Sequence, residues 1–139
     1  MLTDGLAGEH TRARLSLGLV VQSIFYVASG VNHFWHEAFY LHIMPDHYAH
    51  PLALVRLSGI AEILGGLGLL LPATRRLSAA GIALMLVVFF DVHVFMLRHP
   101  GRFPEAPLWL LWARIPLQFV LIWWALIYAR RGDRTRTVR

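Results

Sequence analysis

Two acids, Glu62 and Asp91, and two arginines, Arg56 and Arg114, stand inside long apolar stretches of this 139-residue chain. An isolated charge at the centre of a bilayer costs roughly 3 kcal/mol or more, so such groups either line an ion, proton or substrate path or pair with one another. Asn32, His33 and Gln118 lie in the same kind of surroundings. Guanidinium groups offer fixed donors to a carbonyl or an anion, carboxyl and imidazole groups exchange protons, and the amides add neutral donors and acceptors. The candidate ligand-binding set is therefore Asn32, His33, Arg56, Glu62, Asp91, Arg114 and Gln118, with no catalytic residue assigned. The same charges could instead be interhelical ion pairs that fix the packing.

Four stretches must position these groups: Leu15 to Phe34, Leu52 to Leu71, Leu77 to Leu97 and Leu108 to Ala129. Each holds 20 to 22 residues, and about 20 helical residues at ~1.5 Å rise cross a hydrocarbon core of ~30 Å. Apolar residues make up 57% of the chain and mean hydropathy is +0.54, leaving little for a soluble domain. Runs such as Ile82 to Phe90 lack the strict alternation of barrel strands. The expected fold is all-α, a polytopic membrane protein with a four-transmembrane-helix bundle formed as one domain over residues 1–139.

The net charge of +5 rests on thirteen arginines without a lysine. Their placement argues against nucleic-acid binding. Arg12 and Arg14 precede the first stretch, Arg75 and Arg76 join the second to the third, and Arg130, Arg131, Arg134, Arg136 and Arg139 follow the fourth. With four crossings these regions share one side, and the positive-inside rule makes it the cytoplasm. The chain is thus expected in the inner (cytoplasmic) membrane as a multi-pass protein with both termini inside. Trp35 to Pro51 and Arg98 to Pro107 would then lie outside. Trp35, Trp109 and Trp112 fall near the outer boundary, and Trp123, Trp124 and Tyr128 near the inner one. A cleaved signal peptide fits poorly, given the acidic start at Asp4 and Glu9 and the polar residues after Ser29.

In that orientation Arg56 lies about 6 Å below the outer boundary, Arg114 about 9 Å, and Glu62 and Gln118 about 15 Å. Gln22, Ser29, Asn32, His33 and His36 share one helical stripe, and Arg56, Gly59, Glu62 and Gly66 fall within about 120°. Asp91 and His93 are about 200° apart, so a regular helix cannot turn both inward. Pro116 removes a backbone donor between Arg114 and Gln118 and crowds the carbonyl of Trp112, which favours a kink there. Gly59, Gly65, Gly66 and Gly68 of the second stretch with Ala79, Ala80, Gly81 and Ala83 of the third let backbones approach closely, and the Pro72 to Arg76 connection makes those two stretches an antiparallel pair.

The absence of cysteine removes disulfides, thiol catalysis, thiolate zinc sites and iron–sulfur ligation, and with them quinone reductases of the vitamin K epoxide reductase type. Histidines gather on the outer side at His36, His42, His47, His50 and His99, with His33 and His93 at nearby helix ends. Imidazole with Met44 or Met96 suits copper, and paired histidines suit haem, but no fixed ligand spacing appears. No metal is assigned, and His33, His36 and His93 are the weak candidates.

The run from Pro51 to Arg76, with Ser58-Gly59, Glu62, Gly65-Gly66 and Pro72-x-x-Arg75, resembles the signature of DoxX-like membrane proteins. Asn32-His33-Phe34 and Arg114-Ile-Pro-Leu-Gln118 are similar to two further elements of that family, so the resemblance covers roughly Gly30 to Ala125. It departs at Asp91-Val92-His93, where the family often has Pro-Ala-Asn. The resemblance implies a small four-helix integral membrane protein. Some relatives of that kind serve as membrane subunits of quinone-linked oxidoreductases such as thiosulfate:quinone oxidoreductase.

Two functions follow as expectations. In the first, the outer half binds a quinone or lipid headgroup within a redox system. Arg56, Arg114 and Gln118 are then donors, and Glu62, Asp91 or His33 exchanges protons. The chain would then be at most a membrane subunit of a quinone-linked oxidoreductase. Quinone is the favoured cofactor, with haem or copper behind it. In the second, the protein is a non-catalytic membrane anchor or assembly subunit. A small multidrug exporter fits less well, because the essential glutamate of that family sits in its first helix. The partners expected are the lipid bilayer, a redox protein and a second copy of the chain as a homo-oligomer.

Overall fold

A computed structural model describes residues 15–130, which form five α-helices, one short 3-10 turn and, among the described residues, no strand. The arginines at 12, 14, 131, 134, 136 and 139, used above for orientation, lie outside them. Helix α1 (Leu17–Trp35) begins where the Ser16 hydroxyl accepts the Leu19 N–H at 3.3 Å, an N-cap that satisfies one of the orphan donors of the first turn. A short helix α2 (Glu37–Ile43) follows, then α3 (Pro51–Leu70), which opens on proline, the residue that has no N–H to leave unpaired. Helix α4 (Arg75–Arg98) leads through the turn at Pro100–Arg102 to α5 (Leu108–Arg130). Helices α1, α3, α4 and α5 are long and apolar enough to cross a membrane.

These bounds follow the expected stretches to within two residues, and two differences have local causes. Helix α4 starts on its arginines because the Arg75 guanidinium donates back to the carbonyls of Leu69 (2.9 Å) and Leu70 (3.4 Å). Together with the Thr74 hydroxyl on the Gly68 carbonyl (2.9 Å), this satisfies the frayed end of α3. The seven residues of α2 fall where the sequence reads as a loop, since two turns are too few to display a helical period. Helix α5 runs without interruption through Pro116.

Neighbouring helices run antiparallel along three seams, α1 with α3, α3 with α4, and α4 with α5. The first is the tightest. A Cβ on Gly30 would stand 2.5 Å from the Gly59 carbonyl oxygen, and one on Gly66 would stand 2.9 Å from that of Ser23. Bare glycine backbone lets the Ser23 hydroxyl donate to the Gly66 carbonyl at 2.7 Å, an interhelical bond of the kind that holds helices together where lipid supplies no hydrophobic drive. One apolar cluster unites Leu19, Leu69, Ile82, Leu86 and Ala125 from all four long helices. A second, of Ile43, Met96, Phe103 and Leu111, seats α2 against α4 and α5. No more than 33% of any of the four apolar windows is buried, so their outward faces remain hydrophobic, as expected of helices solvated by lipid chains.

Candidate functional site

Beneath α2 the helices part to leave about 210 Å³ of open space. Its polar corners are His33, Tyr40, His93 and Arg114, drawn from α1, α2, α4 and α5. Phe39, Val55, Phe89 and Val92 supply apolar wall. An apolar cavity of about 150 Å³ accepts one benzene ring, so this space suits a single substituted ring.

Each polar corner is held from behind. Arg114, half-buried, has one guanidinium nitrogen 3.3 Å from the Met96 sulfur, a weak acceptor that leaves most of its donors uncommitted. His93 Nε2 lies 3.3 Å from the Gln118 Oε1, and Gln118 itself is buried and anchored through its Nε2 to the Leu86 carbonyl. The Tyr40 ring stacks on His33 with centroids 3.8 Å apart, and the Tyr40 hydroxyl accepts from Asn32 Nδ2 at 3.0 Å. Asn32 in turn receives His36 Nδ1 at 2.6 Å on its Oδ1. His33, 5% exposed, has its Nδ1 at 3.0 Å from both the Val55 carbonyl and the Ser58 hydroxyl. Its Nε2 lies 3.5 Å from the Glu62 carboxyl.

Of the seven candidate residues, His33 and Arg114 thus face the cavity, while Asn32, Glu62 and Gln118 stand one layer behind it. Arg56 and Asp91 do not reach it. Arg56 is exposed and grips Glu37 of α2 through two bonds of 2.7 and 3.2 Å. Asp91 accepts from the Tyr48 hydroxyl at 2.8 Å and pairs with His47 Nε2 at 2.9 Å. The divergence of Asp91 and His93 follows their helical angle: one meets the connection between α2 and α3, the other the α4–α5 seam. A fourth pair, Arg102 with Asp46 at 2.7 Å, also ties down this connection.

These surface pairs set the charge state of the cap that α2 and its connection form. The bond from Arg56 holds the Glu37 carboxyl below its ordinary value of 4.5, and Arg102 does the same for Asp46. The hydrogen bond to Asp91 pushes the Tyr48 phenol above its ordinary 10.0.

Sequence reasoning misses Tyr40 and Phe39 because the segment of α2 reads as a loop, and it leaves His93 out of the ligand-binding set, weighing it against Asp91 for the inward face and as a metal ligand. The aromatic pair at 39 and 40, placed directly after the Asn32-His33 end of α1, is the signal that was available. For metals, His33, His36 and His93 each have a different organic partner. Among the described residues no group of three histidine or acidic side chains is arranged to hold an ion.

No curated protein and no solved structure matches the chain, and none of the comparisons ties it to DoxX-like proteins. One family model does match, over residues 22–129, which takes in α3 and α4, most of α1 and α5, and every residue of the cavity. The chain belongs to the family described as a domain of unknown function, DUF8561.

Proposed function

We propose that this chain is a four-span bundle of the inner membrane, DoxX-like in kind, that binds the polar ring of a quinone or a similar lipid-soluble molecule. The observation that carries the reading is the convergence of Arg114, His93 and His33 on a ring-sized cavity with aromatic walls. Ligand pockets combine an apolar lining with a few placed polar groups in this way, and the donors here fit the carbonyl oxygens of a quinone. The imidazoles of His33 and His93 add groups of a type able to exchange protons with a reduced ring. The depth is consistent. With the arginine-rich ends inside, the cavity lies in the outer half, where a headgroup sits while its tail runs along lipid-facing helices. The role proposed is that of a membrane subunit beside a redox protein.

A second reading, an anchor or assembly subunit, is favoured by one observation. Arg56, Asp91 and Arg102 are all engaged in fastening α2 and its connection to the long helices. Those charges then serve architecture, which leaves Arg114, His33 and His93 at the cavity for a ligand. The organic extract and absorption spectrum of the purified protein distinguish the two. Bound quinone supports the headgroup reading, and an extract holding only bulk phospholipid supports the anchor.

A further inference from the structure

Behind the cavity, between α1 and α3, four polar side chains lie almost wholly enclosed: Gln22, Tyr26, His33 and Glu62, exposed by 0, 1, 5 and 3%. Among the described residues, both polar atoms of the Gln22 amide, the Tyr26 hydroxyl and Glu62 Oε2 lack a hydrogen-bond partner. Tyr26 adjoins both Gln22 and Glu62, and the Ser29 hydroxyl adjoins the Glu62 carboxyl. An orphaned buried polar atom is costly, and four in one place mark a spot that water or a proton completes.

The bonding of His33 decides where a proton must be. The Val55 carbonyl can only accept, and the Ser58 hydroxyl already donates to that same carbonyl at 2.8 Å. Nδ1, 3.0 Å from both, is therefore the protonated nitrogen of the ring. In neutral imidazole that leaves Nε2 as a bare lone pair, and it faces Glu62 Oε2 at 3.5 Å. A lone pair against a carboxylate is repulsive in a dry interior, and among the described residues no arginine relieves it. Arg56 is engaged with Glu37 at the surface, Arg114 lies against Met96, and Asp91 and His93 face Tyr48 and Gln118. Among the described residues Glu62 has no cation other than His33 within ion-pair distance.

We infer that Glu62 and His33 together bind one proton beyond that on Nδ1, and that Tyr26 and Gln22 complete a small hydrated chamber through which it exchanges. The proton shuttles between Glu62 Oε2 and His33 Nε2, giving a carboxylic acid beside neutral imidazole or a carboxylate beside imidazolium. The pair has the same total charge in both forms, so the movement leaves no net charge in the membrane interior. Because His33 also lines the cavity, the stored proton stands next to whatever occupies it. The chamber does not require that occupant to be a quinone.

The test uses the full-length protein in lipid vesicles at neutral pH, without added ligand. Infrared spectroscopy is expected to show the carbonyl stretch of a protonated carboxyl that shifts down in heavy water and is lost in Glu62→Gln. Nitrogen-15 spectra of labelled histidine report the other form, as an imidazolium at His33 with both nitrogens protonated, and need no variant. Either signal supports the site. An ionised Glu62 beside a neutral His33 would overturn it. The paired substitution Gln22→Met with Tyr26→Phe is expected to slow the heavy-water shift of the carboxyl band or the exchange of the imidazolium protons. Unchanged exchange would remove the hydrated chamber from the proposal.

Discussion

Replacing Gly30 by alanine tests whether the α1–α3 seam is what positions the site. The added carbon would meet the Gly59 carbonyl oxygen at 2.5 Å and the Ile63 backbone nitrogen at 2.9 Å, and backbone atoms cannot swing aside. The two helices must separate by some tenths of an ångström, three residues from His33 and three from Glu62 in the facing register. Overpacking of this kind costs roughly 1–3 kcal/mol. Alanine's better helix propensity, up to about 1 kcal/mol over glycine, partly hides the loss. Gly81→Ala supplies the control, because a Cβ there meets nothing within 4 Å and gains the same propensity without the clash. The two variants should thus differ by the clash alone, about 1–3 kcal/mol, read as thermal or steric-trap unfolding in one detergent. Equal stabilities would refute the close approach of α1 to α3, and with it the geometry assigned to His33 and Glu62.

Other outcomes follow from the surface pairs and the orientation. A reporter fused after Arg139 should be cytoplasmic, and a membrane-impermeant label at residue 47, whose side chain is 61% exposed, should react from outside; a C-terminus on the outer side would invert every depth. Glu37 and Asp46 have folded values below 4.5 and 3.8, so the stability they add is present above those values and fades as pH falls through the lowered ones. The acid limb of a melting-temperature profile should therefore flatten when Glu37→Gln and Asp46→Asn are combined, and an unchanged limb would mean the pairs do not form. In double-mutant cycles Arg56 should couple to Glu37 and be additive with Glu62; coupling of Arg56 to Glu62 would contradict the separation of these two charges.

The long helices were legible because apolar length is a property of the chain itself, and the polar residues of the outer half were legible because they interrupt it. Partner choice was not. Glu62 and Arg56 share a face within about 120°, yet six residues along α3 move them to different neighbours, one buried against His33 and one at the surface with Glu37. That outcome depends on α2, whose two turns fold over the ends of α1 and α3 and bring Glu37 and Tyr40 into place. A seven-residue helix has no period to read, so both the cap of the cavity and the mate of Arg56 stayed hidden. The partner of the α3 glycines is a further case: paired in sequence with the small residues at 79–83 they point to α4, which Gly65 and Gly68 meet, whereas Gly59 and Gly66 meet α1 instead and Gly81 meets nothing within 4 Å.

Whether Arg114 meets a polar ring in the cavity is read from the quinone bound per protein, native against Arg114→Gln, with unfolding followed in parallel. Losing a charge-assisted bond costs about 1.5–3 kcal/mol, or roughly ten- to a hundredfold in Kd. The native protein is expected to carry or take up quinone, and the variant, still folded, to lose it by that factor. A native protein that binds no quinone, with a variant altered only in stability, would contradict the quinone reading and leave the anchor reading in its place.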